Sequence, residues 1–165
     1  MNASSHKAVF LDRDATLIFD HGYMKDPKLV EVLPGVEQAL QIFIKNGFKL
    51  FIVTCQSGVG RGMMTMDDVK KVNERVLELL GKDTFIDILI CPHSPEDKCK
   101  CRKPGTLLVE QTAKKHNIDL KSSYSIGDKV SDKELGINMG GTGIRLGENG
   151  IKNLLDSANY IVHRG

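Results

Sequence analysis

Short apolar runs alternate along the chain with stretches whose apolar residues recur every three or four positions. Val9 to Leu11 and Leu50 to Val53 are continuous apolar runs, the second ending at Thr54. Such runs predict strands buried on both faces, as in a parallel sheet. Phe85 to Ile90 reads as a third strand, and Ser123 to Ile126 as a strand leading into Gly127-Asp128. Between these, Val36, Ala39, Leu40, Phe43 and Ile44 follow helical spacing after Pro34-Gly35, and Asn46-Gly47 ends that helix. Val69, Val72, Val76 and Leu79 form the inner stripe of a second helix, with Thr65 as its cap and Asp68 completing a capping box. Leu107 to His116 reads as a third main helix. Gly143 to Leu146 and Tyr160 to Val162 read as short late strands. The alternation predicts an α/β fold, a Rossmann-like three-layer sandwich with a central parallel sheet and helices on both faces.

Length and composition narrow this only a little. The 165 residues suit one domain spanning the whole chain, with residues 1–6 a flexible tail that lacks a signal-peptide core. Hydrophobic content of 41% and charged content of 27% are ordinary. The net charge is +2 and the basic residues are dispersed, so no nucleic-acid partner is expected. No apolar run has membrane-spanning length, so no membrane association is expected either. A cytoplasmic location and a monomer follow as expectations. Cysteines in that compartment stay reduced or bind metal.

The unusual residue types cluster after strand ends. Asp12 and Asp14 follow the first strand at i, i+2, which puts both carboxylates on one face of an extended chain. Carboxylates at the end of a buried strand are costly unless a cation or a reaction uses them. Open α/β sheets bind ligands at that end. A solvated turn is the alternative, and the later segments tip the balance. Thr54-Cys55-Gln56-Ser57-Gly58 supplies a hydroxyl and free N–H groups that can cradle phosphate, though a plain polar turn reads the same way. Asp128 can complete an oxygen-rich site with Asp12, and hard oxygen ligands favour Mg2+ over zinc. Asp132, one helical turn on, either orients Lys129 or a metal-bound water or simply faces the helix dipole.

Cys91-Pro92-His93 and Cys99-Lys100-Cys101 have the spacing C-x-H-x5-C-x-C. Three thiolates and an imidazole make a closed tetrahedral set suited to structural Zn2+, so residues 91–101 read as a zinc loop. Arg102 and Lys103 follow the last ligand, where a clipped loop would hold them for an anionic substrate.

Together these segments resemble the haloacid-dehalogenase superfamily of aspartate-dependent phosphatases. The order D-x-D-x-T, a hydroxyl residue at a strand end, Lys, then G-D-x-x-x-D matches from about Lys7 to Asn138. The cysteine–histidine loop is similar to that of a small, capless branch. That branch holds D,D-heptose 1,7-bisphosphate 7-phosphatases and histidinol-phosphate phosphatases. Asp20-His21-Gly22-Tyr23 and Gln56 to Gly62, with its Arg61-Gly62 pair, look like the heptose enzymes. The five-residue gap between the ligand pairs looks more like the histidinol type.

The heptose reading is favoured, with histidinol phosphate as the alternative substrate. The resemblance implies Asp12 as nucleophile and Asp14 as general acid and base. It implies Thr54 and Lys103 on the phosphoryl group. Mg2+ would sit on Asp12, the Asp14 carbonyl and Asp128, next to Lys129. Substrate contacts would come from Thr54, Cys55, Gln56, Arg61, Arg102, Lys103 and His21, with a small phosphorylated sugar as partner. Relatives usually carry Gly in place of Ala15 and Asn in place of Cys55; Ala is tolerable at position 15 if the backbone there avoids positive φ. Two other readings are a polynucleotide 3′-phosphatase and a catalytically inactive, zinc-stabilised interaction module. The ordinary charge opposes the first, and the complete set of catalytic residues opposes the second.

Overall fold

The computed structural model describes residues 4–164; residues 1–3 and 165 lie outside that description. Five strands form one parallel sheet: β1 (Lys7–Leu11), β2 (Phe48–Cys55), β3 (Asp87–Cys91), β4 (Tyr124–Gly127) and β5 (Thr142–Arg145), in the order β3-β2-β1-β4-β5. The helices are α1 (Val36–Lys45), α2 (Ser57–Gly60), α3 (Met66–Leu80), α4 (Leu107–His116), α5 (Val130–Asn138) and α6 (Leu154–Arg164).

The continuous apolar runs are divided by the pleat. Val9 and Leu11 of β1, with Phe48, Leu50 and Ile52 of β2, pack beneath α1, α3 and α6. Ala8 and Phe10, with Phe51 and Val53, face the other way and pack beneath α4 and α5. Phe10 and Phe51 stack there at 5.3 Å between ring centroids. A strand buried on both faces needs apolar residues at every position, which is why β1 and β2 show no alternation. The three-layer α/β sandwich is thus the observed architecture. The expected capping box of α3 is present, with Thr65 Oγ accepting from Asp68 N at 3.1 Å and Asp68 Oδ2 from Thr65 N at 2.9 Å.

Strand ends move by a residue or two. β3 runs to Cys91 instead of stopping at Ile90, which places the first cysteine of the Cys/His loop on a strand end. Tyr160 to Val162 is a correction: it belongs to α6, not to a strand. Leu154, Ser157, Ala158 and Ile161 are its buried face, at helical spacing. A three-residue apolar run cannot distinguish a strand from one turn of a buried helix. Ala15 does not meet the condition set for an easy replacement of Gly, since its φ is +64°. The tight turn after β1 demands it, because Ala15 N–H donates to Ile18 O at 2.8 Å while Arg13 O accepts from Leu17 N–H at 2.9 Å. Within the segment expected to be a tail, His6 bridges Ile118.

Strand order reverses at β1, which pairs with β2 on one side and β4 on the other. That makes the carboxyl ends of β1 and β4 the switch point where open α/β sheets bind ligands. Among the described residues, no helix is long and apolar enough to cross a membrane.

Candidate active site

Asp12 is the first residue past β1, and its N–H donates to Ile126 O of β4 at 3.0 Å. Strand pairing therefore fixes the backbone from which its carboxylate projects. Asp128 lies just past the end of β4, and Asp132 lies in the first turn of α5. Asp132 can come this close because Gly127 carries no side chain; a Cβ there would run into the Asp132 carboxylate. Asp132 Oδ2 accepts from Lys129 N–H at 3.1 Å, and Ser125 Oγ donates to Asp132 O at 2.7 Å.

Lys103 joins these elements. Its Nζ donates to Asp12 Oδ1 at 3.0 Å, Asp132 Oδ1 at 2.6 Å and Val53 O at 2.9 Å. Those three bonds use every donor of the ammonium. Burial opposes the charge on Lys103, yet Asp12 and Asp132 together hold it above the ordinary lysine range. For Asp12 burial wins over the pull of Lys103, and Asp132 adds repulsion, pushing its carboxyl up to about 8.

One buried ammonium thus faces three carboxylates. Asp12, Asp128 and Asp132 each offer an oxygen within 4.8 Å of the others. Asp128 Oδ1 is buried and has no hydrogen-bond partner. Excess negative charge and an orphaned carboxylate oxygen fit a hard divalent cation, because either alone is costly in a buried site.

Asp14 is gripped from two sides. Arg13 Nε donates to its Oδ1 and Arg13 Nη2 to its Oδ2, both at 3.1 Å. Gln56 Nε2 donates to Asp14 Oδ2 at 3.1 Å and to Thr54 Oγ1 at 2.7 Å. A cavity of about 60 Å³ opens here, lined by Asp12, Asp14, Asp20, Cys55, Arg102, Lys103, Lys129 and Ser131. A larger recess of about 920 Å³ lies between α1 and the end of α3 and is remote from every one of these groups.

Most residues picked from the sequence therefore converge. Thr54 and Gln56 are buried beside the cavity, whereas His21 and Arg61 are exposed and outside its lining. Sequence reasoning missed Arg13, Asn73, Asp20 and Ser131. It also missed that Asp132 holds the Lys103 side chain. Asn73 had a signal, being the polar residue inside the apolar stripe of α3.

The Cys/His loop packs alongside. Sγ of Cys91 lies 3.6 Å from that of Cys99 and 3.1 Å from that of Cys101, and His93 Nδ1 lies 3.2 Å from Cys101 Sγ. A zinc tetrahedron with Zn–S near 2.3 Å has edges of roughly 3.8 Å, so this cluster is drawn up to a slightly tighter version of that shape. The loop also touches the phosphate-cradle candidate. Gln56 N–H donates to Cys91 O and Gly60 N–H to Pro92 O, both at 2.8 Å.

Residues 15–145 match the haloacid dehalogenase-like hydrolase family. The chain belongs to that family. Among its relatives is a D-glycero-beta-D-manno-heptose-1,7-bisphosphate 7-phosphatase of Helicobacter pylori J99, 39% identical over 82% of this chain and 79% of its own length. The histidine biosynthesis bifunctional protein HisB of Baumannia cicadellinicola is 35% identical over 96% of this chain, which spans 48% of that protein. In fold, the chain is similar to the D,D-heptose 1,7-bisphosphate phosphatase of B. bronchiseptica, solved with magnesium and phosphate. The TM-score is 0.83 at 23% identity, covering 96% of this chain and 99% of that one.

Proposed function

We propose that this family member is a Mg2+-dependent phosphomonoester hydrolase that removes the 7-phosphate of D-glycero-D-manno-heptose 1,7-bisphosphate. One observation carries the chemistry: a buried carboxylate, Asp12, held by the Lys103 ammonium at the switch point, beside a second carboxylate two residues on. The substrate is carried over from the heptose bisphosphatases to which the chain is similar.

Asp12 attacks phosphorus and displaces the sugar oxygen, giving an aspartyl-phosphate. Asp14 gives its proton to the leaving oxygen, then takes one from the water that hydrolyses the phosphoenzyme. Asp12, Asp128 and the Asp14 carbonyl would hold Mg2+, which offsets the repulsion between carboxylate and phosphate. Lys103 has no free donor, so it grips a phosphoryl oxygen by giving up one of its present partners, while Thr54 offers its hydroxyl. Arg102 lines the cavity with Nη1 buried and unpartnered, so it is available to the remaining anionic group of the substrate. His21 and Arg61 contact substrate only if their exposed loops fold inward. Cys91, His93, Cys99 and Cys101 would hold a structural Zn2+.

The test is kcat/KM with Mg2+ for the heptose bisphosphate, in both anomers, against histidinol phosphate. The heptose compound should be favoured by about two orders of magnitude, because only it offers a second phosphate to the unpartnered Nη1 of Arg102. Equal values, or a preference for histidinol phosphate, would overturn the substrate assignment.

A further inference from the structure

Arg13 is the bulkiest side chain with no exposed surface in the described structure. A guanidinium without access to water must place its donors on protein, and two of the three side-chain bonds it makes go to one group. Nε and Nη2 form a fork on the two oxygens of Asp14 at 3.1 Å, and Nη1 donates to Asn73 Oδ1 at 2.9 Å. Asn73 is itself 5% exposed, on the inner face of α3, with Val69, Val72 and Val76 around it. The Arg13 carbonyl accepts from Leu17 N–H at 2.9 Å and Ile18 N–H at 3.2 Å, so its backbone is held as well. Asp14 alone in this chain of contacts reaches the cavity, with a side chain 21% exposed.

We infer that Arg13, braced by Asn73, is a positioning residue that fixes the rotamer of Asp14 for proton transfer. This rests on the reading of Asp14 as acid and base. An Asp side chain on a loop just past a strand has two torsions to settle, and a planar fork settles both. Lysine cannot replace that geometry, since an ammonium is a point charge. Gln56 adds a single bond to one oxygen and leaves rotation about it open. The reacting groups need this restraint because a misplaced general acid loses most of its effect. Arg13 thereby connects α3, which carries no catalytic group, to the reacting centre.

The experiment separates orientation from general damage by leaving-group chemistry. A sugar alkoxide needs a proton as its bond to phosphorus breaks, whereas p-nitrophenolate does not. Phosphoenzyme formation is measured by rapid quench, with Mg2+, for a sugar phosphate and for p-nitrophenyl phosphate. Arg13→Lys should slow the sugar phosphate by about tenfold or more and the p-nitrophenolate burst by less than about threefold, with KM little changed. Asn73→Ala, a milder change, should give the same selectivity at about threefold, and thermal melts confirm that it folds. Asp14→Asn provides the reference pattern of leaving-group dependence. Equal slowing of both substrates in Asn73→Ala, or no slowing in either variant, would overturn the positioning role. If Asp14→Asn slows both substrates equally, the acid assignment fails and the positioning role with it. A wild type that releases no phosphate would instead overturn the phosphatase reading itself.

Discussion

The two clusters of charged and ligating side chains are built in opposite ways. The acidic centre draws Asp12, Lys103 and the Asp128–Asp132 segment from three places far apart in sequence, and the sheet brings them together. The Cys/His cluster comes from eleven consecutive residues, 91–101, that carry hardly any buried apolar side chains. Strand ends can hold an excess of carboxylate because the packed sheet bears the electrostatic cost. A loop with so little core needs another tie, and the proposed Zn2+ would supply it. Loss of the cation should therefore cost the first region its activity and the second its structure.

Asp12→Asn is the sharpest break of this contrast. Phosphate release should fall by at least roughly 10⁴-fold, as for loss of other nucleophiles. Its Tm should stay level or rise, because burial already disfavours the ionised carboxyl. Activity assays and thermal melts on one preparation check both halves. A large fall in Tm would mean that the acidic centre, too, is a structural staple.

Lys103→Met should come next, with activity lower by roughly 10³-fold and stability lower by about 3 kcal/mol, since Asp12 and Asp132 lose their shared counterion. Denaturant melts and initial rates give both numbers. Cys99→Ser should leave Asp12 and its partners in place yet lower Tm by about 10 °C, for a loss near 3 kcal/mol of metal-linked stability. Activity should fall by about tenfold, through the bonds that tie Gln56 and Gly60 to the loop. Metal analysis should find about one zinc per wild-type chain and none in the variant. A chelator strong enough to take both metals should give a protein that Mg2+ alone does not restore. Full recovery with Mg2+ alone would erase the distinction between the regions.

The smallest expected effect has the opposite sign. Ala15→Gly should raise stability by about 1 kcal/mol without changing kcat, because φ of +64° strains a residue bearing a Cβ. A loss of stability in denaturant melts would show that the turn tolerates alanine.

The same contrast governs what could be read in advance. The Cys/His loop was plain in the sequence because its spacing is local. So were β1, β2, α1, α3 and α4, whose apolar periods extend over one or more turns or along a whole strand. Tyr160 to Val162 was misread because a three-residue run carries too little period. The Asp12–Lys103–Asp132 linkage was illegible because it depends on how close α5 comes to β4, which Gly127 permits. Arg13 was hidden for a related reason. Between two acids it resembles a solvated arginine, and only the fold, which brings Asn73 of α3 against it, shows that it is buried.

The most direct measurement is chemical trapping of the phosphoenzyme. The enzyme is mixed with heptose bisphosphate and Mg2+, quenched, reduced with borohydride and digested for mass spectrometry. An aspartyl-phosphate is reduced to homoserine, and the modification should fall on residue 12 alone and vanish without substrate. Homoserine at another aspartate, or turnover with position 12 never modified, would contradict the account.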